Sequence, residues 1–176
     1  MTAPQGAIIA EDAQARAERL VATMRATDGF SAWLGVEVVA LAPAACTVRA
    51  TVRREMLNGF GVCHGGVTYS LADSALAFAS NTHGRVSMSV ENGISYVAPV
   101  ALGDVLTAVA AEEGAGGRLA FYRVTVRNQH DAVVALFRGT VYRTQREMQD
   151  QTHSGTQSEM HSEMHSEMQS ESVKNG

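Results

Sequence analysis

The run from Val67 to Ala79, VTYSLADSALAFA, leaves few folds open, because its apolar residues recur at Val67, Leu71, Ala72, Ala75, Leu76 and Ala79. That is the spacing of a helix buried along one face. Asp73 falls in the middle of it. A carboxylate set among alanines and leucines loses hydration, and the cost is tolerated mainly where hydrogen bonds, a shifted pKa or a catalytic task accompany it. Just upstream stand Asn58 and the triplet His64-Gly65-Gly66. Glycines at a helix start leave backbone N–H groups open near the positive end of the helix dipole, where a developing oxyanion can be held. Asp73 and Gly65 are therefore the leading site candidates.

Helix geometry adds a constraint. Asp73 follows Gly65 by eight positions, roughly 12 Å along the axis at 1.5 Å per residue. One copy cannot bring both groups to one carbonyl. If both act on the same bond, a second, antiparallel copy of the helix must lie alongside, and the expected assembly is a dimer with two sites.

Along the chain, Met1–Ala10 reads as a loose leader and Glu11–Thr27 as an amphipathic helix stopped near Asp28-Gly29. Phe30, Trp33 and Leu34 are expected to re-enter the core. Gly35–Leu41 and Cys46–Arg54 suggest a hairpin around Pro43, and Met56–Cys63 the loop into the central helix, which ends at Asn81–Gly84. Four strand-like runs follow: Val86–Val97, Asp104–Glu113, Arg118–Asn128 and Ala132–Arg143. An α+β fold with an antiparallel sheet wrapped around one long helix is the simple way to bury LADSALAFA.

Composition bounds the partners. Of 18 acids and 14 bases, five acids and one base fall from Met148 onward, so the rest of the chain balances and offers no basic patch for nucleic acid. The two cysteines, Cys46 and Cys63, have no spacing of a metal knuckle or disulfide framework, which suits a reducing cytoplasm. No unbroken apolar run reaches membrane-spanning length, and with no basic stretch followed by an apolar run near Met1 the chain is expected to stay soluble and unexported. The expected organisation is a leader and helix over 1–27, one domain over 28–147, and a low-complexity tail over 148–176 that cannot form a core. In that tail SEMH, SEMH and SEMQ repeat from Ser158, and His161 and His165, with His153, would share a transition metal only if the segment became helical. The solvated reading is preferred, and no metal or other cofactor is expected.

MLNGFGVCHGGVTYSLADSALAFASNTHG, with SVENGISYVAPVALGDVLTA and GGRLAFYRVTVRNQHDAVVALFRGTVYRT after it, resembles the hotdog-fold acyl-CoA thioesterases, in particular the phenylacetate-pathway PaaI group. The match covers roughly Asp28 to Thr144. It implies that Asn58, His64, Gly65 and Asp73 form the active site, with the Asp from one subunit and the Asn and Gly from the other. It also implies a tetramer built from such dimers, and phenylacetyl-CoA or a hydroxylated phenylacetyl-CoA as substrate.

Each residue has a structural reading beside the functional one. Asp73 could pair with an arginine. Gly65 and Gly66, the latter expected to help bind substrate, also permit tight turning and packing. Asn-Gly is a common turn signal, so the Asn58 side chain could serve only its own loop. His64 could touch the thioester carbonyl or cap backbone groups. Ser89 matches a position where some relatives use a hydroxyl to place water, yet an inward-facing strand serine is usually just packed and hydrogen-bonded. Phe30 and Trp33 could wall an aryl pocket but are more commonly core.

Cys63, preceding His64, is a competing nucleophile, though adjacent side chains rarely aim at each other. No G-x-S-x-G elbow, Walker loop or helix-opening G-x-G-x-x-G occurs. The expected activity is hydrolysis of an acyl-CoA thioester, with Asp73 as general base or nucleophile. A non-catalytic acyl-CoA sensor and a hotdog dehydratase are the alternatives.

Overall fold

The computed structural model of the chain describes residues 5–148. Its elements run α1 (Gln5–Thr27), α2 (Gly29–Leu34), β1 (Glu37–Ala42), β2 (Ala45–Thr51), a single 3-10 turn (Arg54–Met56), α3 (Gly65–Asn81), β3 (Arg85–Tyr96), β4 (Val105–Gly116), β5 (Leu119–Arg127) and β6 (Val133–Glu147). The six strands form one antiparallel sheet in the order β1-β2-β4-β5-β6-β3. The sheet wraps α3, as expected. The tail from residue 149, with His153, His161 and His165, lies outside the described residues.

Burial explains why α3 sits at the centre. Leu71, Ala72, Ala75, Leu76, Phe78 and Ala79 are all buried, and they meet Val48, Leu106, Ala108, Val124, Phe137 and Val141 from the inner face of the sheet. Each large apolar side chain so enclosed is worth about 1.5–3 kcal/mol. The alanines let the sheet approach closely. Gly139 takes this furthest: a Cβ there would lie 2.5 Å from Leu76 Cδ2 and 2.7 Å from Asn92 Oδ1.

Polar contacts fix the end of α3. Asn81, buried, donates from Nδ2 to the carbonyls of Ala77 (2.9 Å) and Ser87 (3.1 Å) and accepts from Ser87 N–H at 2.8 Å. One side chain therefore closes the helix and sets the start of β3, and Gly84, at φ +89°, turns the chain between them.

Two expectations fail. The first helix begins at Gln5 rather than Glu11, so most of the supposed leader is helical. Its Ala17, Leu20 and Val21 are buried. Phe30 and Trp33 do not join the core; they remain 54% and 53% exposed on α2, a short helix not foreseen, while Leu34 turns inward. Arg53 explains Trp33: its guanidinium lies 5.5 Å over the indole and donates to the carbonyls of Trp33 and Leu34, which holds α2 flat against the domain.

Candidate active site

Asp73 lies halfway along α3, half-buried, and pairs with no arginine among the described residues. Its Oδ1 accepts from Asn92 Nδ2 at 2.9 Å. Burial pushes its carboxyl pKa above the ordinary range, and hydrogen bonds from Asn92 and Ser89 pull the other way without cancelling the rise. A carboxylate left basic in this way is suited to taking a proton.

Ser89 and Asn92 reach the same carboxylate because β3 changes phase between them. Along β6, Val141 and Gly139 are two residues apart and on one face, yet they pair with Ser89 and Asn92, three residues apart. The extra residue is a β-bulge, which switches which side chains face the helix. Ser87 and Ser89 face α3 before it; Asn92, Ile94 and Tyr96 face it afterwards. In the single chain Ser89 is exposed rather than enclosed, because β3 is an edge of the sheet.

At the other end of α3, His64 is the N-cap, and its Nδ1 accepts from Gly66 N–H at 2.9 Å. That bond leaves the imidazole proton on Nε2, facing away from the helix start. It also occupies Gly66, whose N–H is therefore not open to a substrate. Gly65 N–H is: among the described residues none accepts from it. Tyr96 crosses over this glycine, and its hydroxyl donates to Gly65 O at 2.9 Å.

Asn58 shapes the loop that delivers His64. Its Oδ1 accepts from Phe60 N–H (2.9 Å) and Val62 N–H (3.4 Å), and its backbone closes a turn that needs Gly61 at φ +76°. The carbonyl side of its amide is committed to the turn, and Nδ2 remains as the donor. Cys63 is a poor nucleophile: it is 8% exposed, and burial raises its thiol pKa.

A cleft of about 360 Å³ opens beside Gly65, walled by Val62, Tyr96, Val97, Pro99 and Val134. No part of Phe30 or Trp33 lines it. Asn92 and Tyr96 were not singled out in the sequence. The bulge that aims Asn92 has no residue signature of its own, whereas Tyr96, an aromatic two residues before Ala98-Pro99, could have been found by asking what packs on a bare glycine.

The family described as the thioesterase superfamily matches residues 60–135. The acyl-coenzyme A thioesterase PaaI of Escherichia coli K12 is 36% identical over 120 residues, 68% of this chain and 86% of that one. The chain belongs to the thioesterase superfamily. The hotdog thioesterase fold is equally plain in three dimensions. The structure of the E. coli PaaI protein from the phenylacetic acid degradation operon superposes with a TM-score of 0.75 at 32% identity, covering 77% of this chain and 99% of that one. A mutant of the phenylacetic acid degradation protein PaaI from Thermus thermophilus does so at 0.64 and 41%, covering 66% and 100%. A Streptococcus mutans UA159 protein solved with acetyl CoA gives 0.62 at 26%, covering 64% and 91%. The thioesterase domain thus carries α3 and β3, the two elements that hold Asp73, Gly65, Ser89 and Asn92.

Proposed function

We propose that this hotdog thioesterase hydrolyses an aryl-acyl-CoA, of the phenylacetyl or hydroxyphenylacetyl type, to the free acid and coenzyme A at a site shared by two copies of the chain. The observation that carries the reading is the separation of Gly65 and Asp73 on one continuous helix. Two turns and more lie between them, roughly 12 Å, so complementary halves of a site stand at the two positions. β3 is an open edge of twelve residues, and a second β3 running antiparallel would set the two α3 helices side by side.

In that arrangement the thioester carbonyl oxygen sits at Gly65 N–H, where the helix dipole stabilises the negative charge that develops on it. Asp73 of the facing copy takes a proton from water as the water oxygen attacks the carbonyl carbon. Collapse of the tetrahedral intermediate breaks the C–S bond, and the departing thiolate of coenzyme A recovers a proton. The same carboxylate could instead attack directly and form a mixed anhydride that water then cleaves. Asn58 offers its Nδ2 and His64 its Nε2–H at the rim, and Ser89 its hydroxyl to the attacking water. The apolar cleft beside Gly65 is large enough for a ring and is floored by no charged group. Neither metal nor redox cofactor enters this chemistry. Dimers of this kind would pair further into a tetramer, and the buried free thiols Cys46 and Cys63 suit a cytoplasmic enzyme.

Thiol release from phenylacetyl-, hydroxyphenylacetyl-, benzoyl- and medium-chain fatty acyl-CoA, for the wild-type chain and Asp73→Asn, tests the proposal. Aryl-CoA turnover that disappears in the mutant supports it. Binding of these esters without turnover by the wild-type chain would replace it with the sensor reading.

A further inference from the structure

Asn92 is the only side chain besides Ser89 that supports Asp73 among the described residues, and its setting is unusual. Its Nδ2 donates to Asp73 Oδ1 at 2.9 Å, while its own Oδ1 is buried with no hydrogen-bond partner among the described residues. A buried acceptor left unpaired is costly, and such a group in a native structure calls for an explanation. Gly139, directly opposite on β6, has no Cβ, and the Asn92 oxygen occupies that space: a Cβ at 139 would stand 2.7 Å from it. The bulge before Asn92 turns the side chain inward, and the missing Cβ lets it lie flat between sheet and helix.

We propose that Asn92 is a positioning residue: by holding Asp73 Oδ1 it fixes the plane of the carboxylate so that Oδ2 faces the reacting water or carbonyl, and its amide turns over to accept when Asp73 carries the proton. The two amide orientations differ only in which end meets Gly139. Ionised Asp73 selects the orientation with Nδ2 toward it; protonated Asp73, a donor, selects Oδ1. The amide therefore follows the proton that Asp73 takes in the reaction and gives back afterwards. Loss of the donor would also leave the half-buried carboxylate with less to stabilise its charge, which raises its pKa further.

The inference rests on the thioesterase reading, and Asp73→Asn tests that reading separately: a mutant that kept wild-type turnover would remove the acid from the mechanism and Asn92 with it. Once that variant is inactive, kcat and KM are followed against pH for wild type, Asn92→Ala and Asn92→Ser. The expected result for Asn92→Ala is a kcat lower by about tenfold, the size of one charge-assisted hydrogen bond, with KM within about twofold and the acid limb of the profile moved to higher pH. Asn92→Ser, which restores a hydroxyl donor, should recover part of both changes. A folded Asn92→Ala with the wild-type acid limb and kcat within about twofold would overturn the proposal. Should the alanine variant not fold, Asn92→Asp has the same shape and sets a second carboxylate against the first; an acid limb moved well upward supports the coupling, and an unmoved limb refutes it.

Discussion

The hydroxyl of Tyr96 occupies the space that a side chain at Gly65 would need: it donates to the Gly65 carbonyl at 2.9 Å, and a Cβ built on the glycine would also be 2.9 Å from it. The first turn of α3 and the last residue of β3 are thereby locked in register around a bare backbone. Tyr96 is 54% exposed, so its ring can swing aside without disturbing the core. Gly65→Ala should accordingly fold with a loss of only about 1 kcal/mol. Its kcat/KM should drop by at least about tenfold, because the added methyl and the displaced ring crowd the proposed carbonyl site. Thermal melts beside thiol-release assays separate the two effects.

Asp73 should make the protein less stable at neutral pH than it need be. Its pKa is raised in the fold chiefly by burial, so the folded state holds its proton to higher pH than the unfolded chain. The stabilising contribution is complete below the unfolded pKa and is lost as pH rises through the folded value. Asp73→Asn removes the buried charge and keeps an acceptor for Asn92. We expect its melting temperature to exceed that of wild type at pH 7–8, with the gap closing toward about pH 4; equal melting temperatures at both ends would contradict this.

Glu112 should behave in the opposite sense. It accepts hydrogen bonds from Tyr122 (2.8 Å) and Arg143, with His83 Nε2 3.6 Å away. Burial raises its pKa, but the bonds from Tyr122 and Arg143 outweigh burial and hold it below the usual carboxylate range. Its contribution is present above the unfolded pKa and lost as pH falls through the folded one. Glu112→Gln leaves the largely enclosed Arg143 without its counter-charge and should cost about 2–3 kcal/mol at pH 7. Denaturant melts at neutral pH and near pH 3 should show that penalty shrinking with acid.

Cys63 should resist alkylation in the folded protein. Enclosure and a raised pKa keep it as the thiol, and Cys46, pushed up to about 12 by burial, is more inert still. Iodoacetamide at pH 8 is expected to label neither until denaturant is added, with turnover unaffected meanwhile. Rapid native labelling of Cys63 with loss of activity would revive a thiol nucleophile.

What the sequence disclosed about this molecule follows from how each feature is encoded. α3 was legible as an element, with its start near the glycines, because the i, i+3, i+4 recurrence from Val67 and the glycines before it are local signals. The strands were located within a few residues for the same reason, with β6 running on to Glu147 past the expected stop. Phe30 and Trp33 misled because size and hydrophobicity say nothing of direction; Trp33 is held at the surface under Arg53, twenty residues away, which lies across the indole and bonds its carbonyl. The α1 start was missed because no acidic residue stands in its first turn. At the site, Asp73 and Gly65 stood out by incongruity with their neighbours. Asn92 did not, since its importance comes from a register shift between β3 and β6 and from an absent methyl at Gly139, both properties of paired strands.

The bulge in β3 also takes up one residue of chain length. Removing Val90 would leave Ser89 and Asn92 two residues apart, in strict alternation and still opposite Val141 and Gly139, so both would keep facing α3 while the local bend of the strand was lost. One codon lost there would thus remove the irregularity and keep every group that β3 presents to α3 beyond Ser89. A lineage carrying this fold could therefore gain or lose one residue at that point of β3 and keep Ser89 and Asn92 on the helix side, a tolerance to length change that a regular strand lacks.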